Sequence, residues 1–182
     1  GFLAVSWSDV LQGTLMFVAL VLVAWMGLDL AGGVTPSLDE IAARDPQLLD
    51  PWIGSNGEAL GWIGILSLVG WGLGYAGQPH ILARFMAIRR VEEMTAARRV
   101  AMVWVIAVLV AAVVVGLTGL LVLDTPLTGA DSEKVFILMS TQFFHPAIAG
   151  ICLAGIMAAI MSTASAQLLV SSSAFAEDFY RG

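Results

Sequence analysis

A membrane-length apolar run that carries a proline and four glycines constrains this chain more than any other feature of it. Residues 60–86 read LGWIGILSLVGWGLGYAGQPHILARFM, with Gly70, Gly72, Gly74, Gly77 and Pro79 near the middle of the run. Hydrocarbon cannot hydrogen-bond the backbone groups that a helix break frees. A broken helix at membrane depth therefore persists only where it lines a cavity or packs within protein. Breaks of this kind are where membrane transporters hold solutes and ions.

The rest of the chain fits that setting. Of 182 residues, 59% are hydrophobic and only 12% charged, a balance unusual for a soluble domain of this size. Four stretches lack charge: Val10 to Leu28, Ala59 to Ala83, Val100 to Leu123 and Val135 to Ala176. Each reaches the roughly 18 to 20 residues needed to cross about 30 Å of hydrocarbon. The last is too long for one span, and Phe143-Phe144-His145-Pro146 divides it with a turn signal and a helix-start proline. The expected fold is all-α and integral to the membrane, a single domain over residues 1–182. It has four transmembrane helices at about 6–28, 59–86, 98–123 and 146–174, and a short interfacial helix at about 133–144.

The formal charge of −6 matters less than where the charges lie. The connection between the second and third spans carries Arg84, Arg89, Arg90, Arg98 and Arg99. The first connection has Arg44 alone among six carboxylates, and the third has only Lys134. The positive-inside rule then puts the arginine-rich loop and both chain ends in the cytoplasm. Those arginines read as an orientation signal facing anionic lipid. The chain begins at Gly1 directly before a span, with no signal peptide, and is expected to be a cut piece of a longer polypeptide.

Three groups of residues could carry function. Trp71, Tyr75 and Pro79 recur every fourth residue, so they share a helical face. The aromatic pair could wall a small amphipathic ligand, and Pro79 would leave the carbonyl of Tyr75 without its usual partner, free to accept from an ammonium or iminium group. The same glycines could equally serve close helix packing, and spacing leaves both readings open. Ala159, Ser162 and Thr163 stand at i, i+3 and i+4, where one carbonyl and two hydroxyls could offer neutral oxygens to a sodium ion. Spacing alone favours the plainer reading, in which both hydroxyls bond back to the preceding turn. Asp9 sits at the cytoplasmic mouth of the first span, where a carboxylate handles ions or simply reaches water.

Other polar residues say less. Cys152 lies in an apolar run with no disulfide or metal partner at useful spacing, His80 reads as a satisfied polar group beside the break, and His145 as a loop residue. The chain shows no nucleophile with a base, no metal-ligand cluster, no phosphate-cradling loop and no nucleic-acid signature. An enzymatic role has no support.

The stretches SLVGWGLGYAGQPHILARFMA, GFLAVSWSDVLQG and AAIMSTASAQLLVSSSAFAEDFY closely resemble the sodium:solute symporter family, the first of them its proline branch. The resemblance covers essentially the whole chain but only about a third of a family member. It implies a five-plus-five inverted-repeat transporter in the bacterial inner membrane, of which this fragment would hold the last core helix of the first repeat and the first three of the second. It further implies sodium as the coupling ion and L-proline or a similar small solute as substrate, with the remaining helices of the parent transporter as partners. Trp71, Tyr75 and Pro79 then match substrate-binding positions. Ala159, Ser162 and Thr163 match part of a sodium site completed by an absent helix, and Asp9 matches an aspartate on the sodium exit path. Another small solute is one rival, a membrane sensor domain of a signalling histidine kinase is a second, and a structural subunit without ligand is a third.

Overall fold

The computed structural model describes residues 2–54, 57–125 and 127–180. In chain order the helices are α1 (Phe2–Leu30), α2 (Val34–Arg44), α3 (Trp62–Gly74), α4 (Pro79–Met86), α5 (Glu93–Val122), α6 (Val135–Phe143) and α7 (Pro146–Tyr180). Short 3-10 turns occupy Pro46–Leu49, Tyr75–Gly77 and Gly129–Lys134. Among the described residues there is no strand, only one isolated bridge between Ile53 and Ala59. Three helices, Phe2–Leu30, Glu93–Val122 and Pro146–Phe179, are long and apolar enough to cross a bilayer.

The long helices pack around α1, which lies against α7 on one side and α5 on the other. Small side chains make this approach possible. The core joins Ala19, Val23 and Ala24 of α1 to Ala111 and Val115 of α5, Met139 of α6 and Cys152 of α7. A methyl group added at Gly155 would come within 3.0 Å of the Ala19 Cβ, and one at Gly27 would collide with the Thr118 hydroxyl. Lipid tails are as apolar as leucine, so close van der Waals contact at small residues drives this kind of association.

The ends of the helices are held by local chemistry. Gly32 and Gly33 take φ of 83° and 103°, a left-handed turn between α1 and α2 that a side chain would strain. Helix α2 then folds back on α5, with Ile41 buried and Arg44 donating from Nη1 to the carbonyl of Leu120 at 2.7 Å. That cation satisfies one of the last carbonyls of α5. The segment expected at about 133–144 is divided into a 3-10 turn and α6. Met139 and Ser140 of α6 are buried, and the helix packs on α1, α5 and α7. Pro146 restarts the chain as α7, where the Ala147 N–H donates to Nδ1 of His145 at 3.4 Å.

The broken stretch differs in detail from the expectation. Helix α3 runs unbroken through Gly70, Gly72 and Gly74, and the break begins only at Tyr75. None of these glycines, nor Gly77, takes a positive φ. Glycine keeps its N–H and so continues the helical ladder, whereas Pro79 has none to give. The chain passes through a 3-10 turn, extends at Gln78 (φ −93°, ψ 110°) and restarts at Pro79 in the first position of α4. Two short half-helices therefore stand where one interrupted span was expected.

Candidate functional site

Trp71 lies in the last turn of α3 and Tyr75 opens the 3-10 turn, so the four-residue spacing survives the change of helix type. Their rings meet edge to face, with centroids 5.5 Å apart and planes at 81°. Such a pair is worth about 0.5 to 1.5 kcal/mol beyond its burial, enough to hold both side chains in one orientation. Both rings are exposed, and no residue of α3 is buried. A methyl added at Gly70, Gly72, Gly74 or Gly77 would meet nothing within 4 Å, so these glycines serve no close packing here.

The expectation of a free carbonyl at Tyr75 needs correcting. The N–H of Gln78 donates to it at 3.2 Å, closing the 3-10 turn. The tighter turn substitutes an i+3 donor for the i+4 donor that Pro79 lacks. One lone pair on that oxygen remains for a ligand, because a carbonyl carries two.

On α7, the Ser162 hydroxyl donates to the Ala159 carbonyl at 3.0 Å and the Thr163 hydroxyl donates to the same oxygen at 3.3 Å. Three neutral oxygens thus converge on one spot, bonded in the manner that the plainer reading expected. Each donating hydroxyl still keeps lone pairs for an ion. Among the described residues no three His, Cys, Asp or Glu side chains gather as a metal site. The three atoms that converge here are neutral oxygens, donors that suit hard cations rather than soft transition metals.

Asp9 makes a contact that its place in the sequence does not show. Its Oδ2 accepts from Arg84 Nη2 at 2.6 Å, and the Asp9 side chain is only 15% exposed. Its other oxygen, Oδ1, and the Oε1 of Gln12 one turn on are buried acceptors without a partner. A cavity of about 710 Å³ between α1, α4, α5 and α7 is lined by Asp9, Arg84 and Ser162, with Gly13, Met16 and Trp104 in its wall. Asp9 and the Ser162 end of the hydroxyl pair therefore face one space. Trp71, Tyr75 and Pro79 are not among the residues that line it.

Sequence reading treated Arg84 as part of the loop charge and missed its role beside Asp9. A signal was present, because Arg84 falls inside the helix expected at 59–86, where a cation within a span calls for a counter-ion. A second cavity of about 490 Å³, lined from α2, α5 and by Leu123, Asp124, Leu127 and Val135, contains none of the candidate residues.

Long apolar helices stand beside two half-helices, with a carboxylate and a hydroxyl lining one open cavity, an arrangement that suits a helical protein embedded in a membrane. The sodium:solute symporter family matches residues 1–182, and the chain belongs to that family. Among relatives, the sodium/proline symporter of Escherichia coli is 47% identical over 186 residues, covering 100% of this chain and 36% of the relative. The osmoregulated proline transporter of Bacillus subtilis is 46% identical over 182 residues, with the same coverage. The high-affinity proline transporter of Bacillus subtilis is also 46% identical over 182 residues, covering 37% of that protein. The chain thus spans a little over a third of the length of these relatives. No solved structure matches it. Family and helices together make it a multi-pass protein of the bacterial inner membrane.

Proposed function

We propose that this chain is part of a symporter that couples inward sodium movement to uptake of L-proline by alternating access. The observation that carries the reading is the shared cavity of Asp9 and Ser162 in a chain whose relatives, at 46–47% identity, bear the names of proline transporters. The four apolar stretches would form four spans of a five-plus-five inverted repeat, α3 and α4 counting as one, in a single membrane domain with both ends cytoplasmic.

The residues divide the work. Ser162, Thr163 and the Ala159 carbonyl would give sodium part of its shell, with the rest from helices outside residues 1–182, since a hard cation of this size takes about six oxygens. Trp71 and Tyr75 would wall the apolar ring of the solute, and the spare lone pair of Tyr75 O would accept from its secondary ammonium. The Asp9–Arg84 bridge joins α1 to the inner half-helix α4. A cation reaching Asp9 competes with Arg84 for the carboxylate, so occupancy by sodium loosens α4. Coupling is linkage: an ion that favours one state of the broken helix raises affinity for a solute that favours the same state. The membrane potential adds about 2.3 kcal/mol per charge per 100 mV.

The test is radiolabelled L-proline uptake into vesicles that contain the full-length protein, with and without an inward sodium gradient. Gradient-dependent uptake that weakens in Ser162→Ala supports the assignment. Uptake that ignores sodium, or no proline uptake beside transport of another solute, overturns it.

A further inference from the structure

The cavity between α1, α4, α5 and α7 carries two opposite charges, and sodium accounts for only one of them. Asp9 and Arg84 line it together with Ser6, one turn before Asp9, while Val10, Met16, Ile88, Val100 and Trp104 give it an apolar wall. Its volume of about 710 Å³ falls in the range of roughly 300 to 1,000 Å³ typical of small-molecule sites. The Ser6 hydroxyl donates to the Phe2 carbonyl at 2.9 Å, so its oxygen is left to accept.

The bridge leaves both partners with bonding capacity to spare. Arg84 spends one of its guanidinium N–H groups on Asp9 Oδ2 and forms no other bond among the described residues. Half of its side chain is exposed. Asp9 Oδ1 is buried, but Oδ2 keeps a lone pair beyond the one that Arg84 uses. A lone cation here would leave the spare guanidinium donors unused, and a lone anion would meet the carboxylate. A neutral polyol would set uncharged groups against both charges. An α-amino acid carries its ammonium and carboxylate on one carbon, so it can lie antiparallel to the bridge. Its ammonium then meets Asp9 Oδ2 and Ser6, its carboxylate meets Arg84, and an apolar side chain covers the wall.

We propose that the Asp9–Arg84 bridge is a holding site for the zwitterion of a small apolar amino acid, separate from Trp71 and Tyr75, where the solute pauses before release to the cytoplasm. The proposal rests on the transport reading for the solute and on the cytoplasmic placement of the arginine loop for the direction. Arginine is suited to the contact because its planar fork meets carboxylate oxygens in pairs. The zwitterion adds two charge-assisted contacts and strands neither member of the bridge.

The experiment labels Ile88→Cys, on the cavity wall, with a membrane-impermeant maleimide in inside-out vesicles that contain the full-length protein, in the absence of sodium. Val91→Cys, exposed and not on the cavity wall, is the control. Saturating L-proline should slow labelling of Ile88→Cys at least about fivefold and leave Val91→Cys unaffected. Prolinamide lacks the carboxylate and N-acetylproline lacks the ammonium, so each should protect about tenfold more weakly, the factor expected for one charged hydrogen bond. Arg84→Gln should raise the half-protecting proline concentration by about the same factor. Trp71→Ala should leave it unchanged, because Trp71 does not line the cavity. If Arg84→Gln does not reach the membrane, Asp9→Asn carries the test and should lose protection as fully. Equal protection by the three ligands, or protection unchanged in both Arg84→Gln and Asp9→Asn, would overturn the site. So would no protection at all, or a shift in Trp71→Ala as large as in Arg84→Gln. Labelling is read without transport: sodium-driven proline uptake without protection removes this site alone, whereas protection without uptake removes the transport reading and leaves the site.

Discussion

Arg84 Nη2 lies 2.6 Å from Asp9 Oδ2, a bond that spans 75 positions of sequence and ties the inner half-helix α4 to α1. The two partners differ in exposure, 51% for the Arg84 side chain and 15% for Asp9. That asymmetry predicts unequal costs. Arg84→Gln strands a largely buried carboxylate and should destabilise the full-length protein by about 1 to 3 kcal/mol. Asp9→Asn frees a half-exposed cation that turns to water, and should cost less than about 1 kcal/mol. The double variant should lie well above the sum of the two. Thermal denaturation of the three proteins in one detergent checks the order, and a larger loss in Asp9→Asn would refute this account of the pair.

Ser162 offers its hydroxyl to the cavity that Asp9 lines, while its proton rests on the Ala159 carbonyl. Ser162→Ala removes one neutral ligand without opening a buried hole. The sodium concentration for half-maximal proline uptake should rise roughly tenfold, about 1.4 kcal/mol, with the amount of protein in the membrane unchanged. Thr163→Ala should act in the same direction. Sodium dependence indistinguishable from wild type in both variants would remove the hydroxyl pair from the ion path.

The helices were legible because their signals are local. Uncharged runs mark α1, α5 and α7, and Pro79 and Pro146 mark restarts that the structure places at the first residue of α4 and α7. Where the break begins was less legible. The glycines were read as part of it, yet three of them sit in α3, since a missing side chain does not remove a hydrogen-bond donor. Arg84 within an expected span signalled the need for a counter-ion, but not that Asp9 would supply it. Periodicity relates residues within one helix, and this bond depends on how α4 meets the bundle. Arg44 on the Leu120 carbonyl is a second long-range contact of the same kind.

Trp71 tests the substrate reading in a place where stability hardly interferes. Its ring is exposed, packs edge-on to Tyr75 and touches no buried core. Trp71→Ala should therefore lower the melting temperature by no more than about 4 °C, as expected for loss of one exposed aromatic pair worth about 0.5 to 1.5 kcal/mol. The proline concentration for half-maximal uptake should nevertheless rise by about five- to tenfold, the loss of roughly 1 kcal/mol of aromatic contact with the solute. Trp71→Phe should recover most of it. A uniform fall in protein level with unchanged proline dependence would instead assign the pair to folding.

Glycines in this chain fall into two kinds, and substitution separates them. A methyl at Gly27 would collide with the Thr118 hydroxyl and reach the Met139 terminus at 2.7 Å, and one at Gly119 would collide with Val135. Thr118 and Met139 are each 1% exposed, so neither can move aside cheaply. Gly27→Ala and Gly119→Ala should each cost about 1 to 3 kcal/mol through overpacking, despite the better helix propensity of alanine. At Gly70 the added methyl meets nothing within 4 Å. There propensity alone acts, and Gly70→Ala should stabilise α3 by up to about 1 kcal/mol. Parallel melts of the full-length variants decide the matter: equal losses at Gly27 and Gly70 would show that the face of α3 left open here is packed as tightly as the α1–α5 contact.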